Sequence, residues 1–186
     1  LLVRLAGQGA MAHIALPQSD IAPFIKDRPG FEFAAFNSPK ATVLAGQREE
    51  VQRLIDGIAA QTGAFCRMLR SDVPFHTSLI ERELGHFASE IAGIEPAGPT
   101  LPLYSTLYGK KAGDGAFTPD YWREHIRHPV AYRQAAESML ADGYNAFVEI
   151  SPNSVLMDAV SERAASLGKN VVLAGTMMRD EQAAQT

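Results

Sequence analysis

"FEFAAFNSPKATVLAG", residues 31 to 46, is the stretch that decides the fold. An apolar run at 31–36 is followed by "NSPK" and then by a second apolar run, "ATVLAG", at 41–46. Asn and Ser bond their own backbone and Pro presets its φ, so the link reads as a turn. Two such runs joined by so short a turn predict a β-hairpin.

The flanks complete one unit. Upstream, "AMAHIAL" (10–16) alternates as a strand, Ser19 is placed to cap a short helix through Lys26, and "RPG" (28–30) turns into the hairpin. Downstream, Val51, Leu54, Ile55 and Ile58 recur at helical spacing and predict an amphipathic helix over 48–61 that stops near Gly63. "AFCRML" (64–69) closes the unit as a strand. The order β-α-β-β-α-β is that of a ferredoxin-like subdomain, an arrangement that carries no function by itself.

From Ser71 the texture changes. Ile80, Leu84, Phe87, Ile91 and Ile94 form one helical stripe, ended by Pro96 and Pro99. "LPLYST" (101–106) reads as a strand, and a loop with Gly109, Gly113 and Gly115 leads to a helix near 119–127. Pro129 suits the first turn of a further helix reaching Gly143. A strand at 145–150, a helix at 153–167 ended by Gly168 and a strand at 170–175 follow. Strands alternating with helices predict a parallel α/β layer. The opening "LLVRLAG" reads as the tail of a helix stopped by Gly7 and Gly9, so a piece of a longer protein is expected.

Hydrophobic residues at 46% and charged residues at 20% suit a globular chain with a sizeable core. The net charge of -4, with no block of like charges, argues against nucleic acid or a polybasic membrane contact as partner. No apolar run approaches the roughly 18 residues of a membrane-spanning helix. Cys66 is the only cysteine, which excludes an internal disulfide, gives no metal-ligand spacing and fits a reducing, cytoplasmic setting.

The chemistry centres on "SDVPFHTSLIE" (71–81). Ser78 and Glu81 have capping-box spacing, so a helix is expected from about Leu79, with His76 just ahead of its positive end. That end favours a neutral imidazole, the state a general base needs near pH 7. A histidine in a tight turn is the plainer reading, and these residues alone leave both open. No serine has both glycines of the Gly-x-Ser-x-Gly elbow. Ser166 has only Gly168, at a helix end, and of Ser151 and Ser154 in "SPNS" the latter reads as a helix cap. Cys66 reads as core. His125 and His128, three apart on a helix, lack a third metal ligand and read as solvated or locally bonded, while His13 and His86 carry no assigned role.

Seven stretches in register point further: "GQGAMAHIAL", "AFNSPKATVLAG", "VPFHTSLIE", "LPLYSTLYG", "DYWREHIRHPV", "DGYNAFVEISPNSVL" and "TMMRDE". Together they resemble the acyltransferase domain of type I polyketide synthases and the related malonyl-CoA:acyl-carrier-protein transacylases, in the family's order across almost the whole chain. The resemblance implies an α/β fold, an α/β-hydrolase-like core incomplete at its N-terminus with a ferredoxin-like insert. It divides the chain into the end of a core helix (1–8), the small subdomain (9–70), the C-terminal part of the large subdomain (71–180) and the start of a linker (181–186).

It also implies ping-pong transfer of an acyl group from coenzyme A, through a serine, to the phosphopantetheine thiol of an acyl carrier protein, in polyketide or fatty-acid synthesis. No tightly bound cofactor is implied; the coenzyme A thioester is a substrate. His76 falls on the family's catalytic histidine, and the backbone carbonyl of His125 on the group that orients it. Phe75 resembles the ring of malonyl-selective members, where it leaves no room for a methyl branch; Val73-Pro74 ahead of it departs from their pattern, which keeps an unusual acyl unit open. Asn37 is read both as a contact to the acyl group and as a plain turn residue. The family's GHSxG serine, and the arginine that pairs with the malonyl carboxylate, fall upstream of Leu1. The expectation is therefore a chain inactive alone, partnered by the missing N-terminal part of its domain and by neighbouring synthase domains on the ketosynthase side. The competing expectation is a non-catalytic docking or structural remnant within such a synthase.

Overall fold

The computed structural model describes residues 2–152 and 154–177. A short helix α1 (Leu2–Leu5) leads into strand β1 (Ala10–Ile14), helix α2 (Gln18–Ile25), the hairpin β2 (Glu32–Ser38) and β3 (Ala41–Gly46), helix α3 (Arg48–Thr62) and strand β4 (Cys66–Met68). The four strands form an antiparallel sheet in the order β2-β3-β1-β4. This is the order expected of a split β-α-β-β-α-β unit.

The sheet is two-faced because side chains alternate along each strand. On one face Ala12, Ile14 and Leu44 meet Ile21 of α2 and Val51, Leu54, Ile55 and Ile58 of α3. Gly63 ends α3 in the left-handed conformation, φ 70°, which only glycine adopts without steric cost. The other face carries Met11, Ala34, Ala35, Val43 and Ala45, and its small side chains let a later segment lie close. There Val130 donates its N–H to Ala34 O and accepts from Phe36 N, both at 2.9 Å, forming a one-residue parallel bridge to the edge strand β2.

The second half comprises a 3-10 helix (Ser78–Glu83), α4 (Leu84–Glu90), β5 (Tyr104–Ser105) paired with β6 (Lys110–Lys111), α5 (Pro119–Arg127), α6 (Tyr132–Ala141), β7 (Ala146–Glu149), α7 (Met157–Ser166) and β8 (Val172–Gly175). β7 and β8 are parallel and joined by α7, so the chain is α/β. No helix among the described residues is long and apolar enough to cross a membrane.

Several local expectations are corrected. Ser19 lies inside α2, whose N-cap is Pro17, and its hydroxyl bonds Asp20 instead. β2 runs through Asn37 and Ser38 before the chain turns, so "NSPK" breaks the strand later than its composition suggests. The capping residue of the 3-10 helix is Thr77, not Ser78, because the Ser78 N–H and hydroxyl are both taken by Glu32. The apolar stripe ends early: Ile80 and Leu84 are buried, while Ile94 is exposed beyond α4.

"LPLYST" contributes only two strand residues, in an antiparallel hairpin and not in the parallel layer. Pro129 precedes α6 outside its first turn, since Val130 is committed to β2. Ser154 does not cap α7; the Glu149 carboxylate does, accepting from Val155 N at 2.9 Å and Leu156 N at 3.0 Å. Burial alone would raise the Glu149 pKa, but these amides and the Ser151 hydroxyl hold it below the usual range. The segment 181–186, read as a linker, lies outside the described residues.

Candidate active site

The loop after β4 is built around buried proline and threonine. Pro74 is fully buried and Thr77 is 1% exposed. The Thr77 hydroxyl donates to Pro74 O at 2.7 Å and accepts from Leu79 N at 3.3 Å, so one side chain closes the loop and caps the helix after it. Gly9 lets the Pro74 ring approach: a Cβ at Gly9 would lie 2.7 Å from that of Pro74. Between these fixed points His76 takes φ +64°, unusual for a residue with a side chain.

That conformation aims two donors at three carbonyls of one helix end. The His76 N–H donates to Ile126 O at 2.9 Å. Its Nδ1 lies 2.9 Å from the carbonyl of His125 and 3.0 Å from that of His128, at the C-terminus of α5. A carbonyl only accepts, so Nδ1 carries the proton and donates to both. In the neutral ring Nε2 is then a bare acceptor. Burial pushes the His76 pKa down, and the two carbonyl bonds, which oppose that, leave it below the ordinary histidine value. The arrangement can accept a proton at Nε2 from a group brought beside it.

The His125 ring lies edge-on to that of His76, with centroids 5.8 Å apart, and stacks on Tyr121. Its Nε2 pairs with Thr106 Oγ1 at 2.9 Å. Burial, then the charge His76 would carry, lowers the His125 pKa as well. An ion cluster ties α5 to the loop and the sheet: Arg127 donates to Glu81 at 2.6 Å and to Glu32 of β2 at 3.4 Å. Glu32 also holds the Ser78 N–H at 2.8 Å.

His76, Phe75 and His125 thus come together. Phe75 packs with Ile126 against a core of Leu5, Val73, Ile80 and Leu84, its ring 6.3 Å from that of His76. Asn37 does not join them. It lines a cavity of about 650 Å³ between the open sheet face and α7, whose walls include Ser38, Phe65, Arg67 and Glu162 but not His76 or Phe75. Among the described residues no serine hydroxyl bonds His76, and no cluster of His, Cys, Asp or Glu could hold a metal. The His128 ring pairs with Glu124 at 2.9 Å. Cys66 packs against the core beside α3, and burial, helped by Asp56, raises its pKa. The second acceptor, the His128 carbonyl, had no signal in the residue types, since any residue supplies a carbonyl.

Comparison with known proteins identifies the family and the fold. The family profile described as an acyl transferase domain matches residues 1–186. The chain is 34% identical over 180 residues to a phenolphthiocerol/phthiocerol polyketide synthase of Mycobacterium tuberculosis; the match covers 97% of this chain and spans only 10% of the length of that protein. It is similar to the crystal structure of the acyltransferase domain from module 8 of the salinomycin polyketide synthase, with a TM-score of 0.92 and 28% identity over 98% of this chain and 43% of that one. An acyl carrier protein S-malonyltransferase from Vibrio cholerae matches with a TM-score of 0.78 and 25% identity, over 93% of this chain and 56% of that one.

Proposed function

This chain belongs to the acyl transferase domain family, and on that premise we propose that it serves transfer of an acyl group, malonyl by preference, from coenzyme A to the phosphopantetheine thiol of an acyl carrier protein. The observation that carries the reading is the His76 imidazole, protonated at Nδ1 by its two carbonyl partners and bare at Nε2. A base so held needs no carboxylate partner; the His125 carbonyl orients it, as Asp does in a Ser-His-Asp triad.

The steps balance as two half-reactions. Nε2 of His76 takes the hydroxyl proton of a serine, whose oxygen attacks the thioester carbonyl. The carbon–sulfur bond breaks, and coenzyme A leaves with the proton returned by the imidazolium. In the second half His76 takes the proton of the carrier thiol, the sulfur attacks the seryl ester, and the serine oxygen recovers the proton. None of the 186 residues is a serine flanked by both elbow glycines, so the nucleophile is assigned to sequence outside them, as is the arginine for the malonyl carboxylate. Phe75, against the His76 ring, is assigned the size filter for the acyl α-carbon. Asn37 is given no acyl contact, because the cavity it lines includes neither His76 nor Phe75.

The test is His76→Ala in a protein carrying this chain together with its nucleophile. Loss of a general base lowers transfer by ~10²–10⁴-fold; near-normal transfer would return His76 to a turn residue. The 186-residue chain alone, mixed with malonyl-CoA, should gain no malonyl mass, and a stable adduct would overturn the assignment of the nucleophile.

A further inference from the structure

In a continuing α-helix the carbonyl of His125 would accept the N–H of the residue four positions on. That residue is Pro129, which has no N–H. The neighbouring amides are committed elsewhere: His128 N donates to Glu124 O at 2.9 Å and Val130 N to Ala34 O at 2.9 Å. The residue before a proline is also pushed out of the helical region, and His128 sits at φ -94°, ψ 155°. Its carbonyl therefore turns off the helix axis and reaches the same Nδ1, at 3.0 Å.

We infer that Pro129 is a positioning residue for the base. By lacking an amide hydrogen it leaves the His125 carbonyl without a helical partner, and by extending His128 it brings the second carbonyl to His76. Together these hold the proton on Nδ1 and keep Nε2 bare. The inference rests on the reading of His76 as the base for its catalytic consequence, while the tautomer it describes stands apart from catalysis.

The experiment compares two replacements. Pro129→Ala restores an N–H; incorporation of lactic acid at position 129 gives the same side chain with an ester oxygen in place of that N–H. In each 186-residue chain the His76 ring nitrogens are read by ¹⁵N NMR, and in a protein that also carries the nucleophile kcat is measured against pH. The expected result is that the alanine chain loses the Nδ1–H signature and about tenfold in kcat, while the lactate chain keeps both. Both replacements behaving like Pro129 would overturn the inference, and so would both losing the signature, which would place the effect in the proline ring and not in its missing hydrogen. If His76→Ala leaves transfer intact, the catalytic reading fails while the tautomer result stands.

Discussion

Replacing Thr77 by valine tests the architecture of the base's loop most directly. Thr77 is 1% exposed, β-branched and extended, with φ -137° and ψ 168°, so valine fits the site in shape and backbone preference. The change removes only the hydroxyl. Losing the cap to Leu79 N costs about 1 kcal/mol. Leaving the carbonyl of the fully buried Pro74 without its 2.7 Å donor costs a further ~1–2 kcal/mol. The sum, roughly 2–3 kcal/mol, corresponds to a fall in Tm of about 4–12 °C for a chain of this size. Urea and thermal unfolding followed by circular dichroism measure it. Thr77→Ser is the control, because it keeps the hydroxyl and loses one buried methyl, about 1 kcal/mol. A valine variant within about 0.5 kcal/mol of the parent, or a serine variant as damaged as valine, would refute the dual role of the hydroxyl.

Other outcomes follow from the same loop. Because partial burial holds the His76 pKa below 6.5, the acid limb of kcat/KM in the complete enzyme should lie below that pH; a limb at or above it contradicts the part-buried, neutral base. The sign for stability agrees: below pH 6.5 the unfolded chain binds protons that the part-buried His76, His125 and His13 resist, so stability falls as pH drops through that range. Phe75→Ser should raise the methylmalonyl-to-malonyl ratio by about 10–200-fold, the worth of one methyl in a fitted pocket, and an unchanged ratio removes Phe75 from substrate choice. Gly9→Ala places a Cβ 2.7 Å from the Pro74 ring, and overpacking of this kind costs about 1–3 kcal/mol in urea melts; an unaffected midpoint would show that the loop yields freely.

Much of the first half is legible in sequence because each signal is local. Val51, Leu54, Ile55 and Ile58 recur at helical spacing and are all buried on α3. Gly63 ends that helix, and the "ATVLAG" strand spans Ala41–Gly46. The misreadings fall where a distant group outbids a local one. Ser78 has the spacing of a cap, yet Glu32, 46 residues away, takes its N–H and hydroxyl. Ser154 stands where a cap belongs, yet the Glu149 carboxylate, a charged and stronger acceptor, holds the amides that open α7. Pro129 suits a first helical turn, yet the small face of β2 draws Val130 into a strand bridge.

The same division runs through the candidate site. Sequence by itself determined most of the element types, the hairpin at one edge of the small sheet and the register of motifs that marks the family, because propensity, periodicity and motif spacing are written in adjacent residues. It also singled out His76 as the one histidine in a strand-to-helix loop. Only the tertiary structure decided which ring nitrogen of His76 is bare. That choice depends on two backbone carbonyls 49 and 52 residues downstream, and backbone groups are common to every residue. Their availability is set by where a helix stops and which strand the chain joins next, which is a property of the packed molecule.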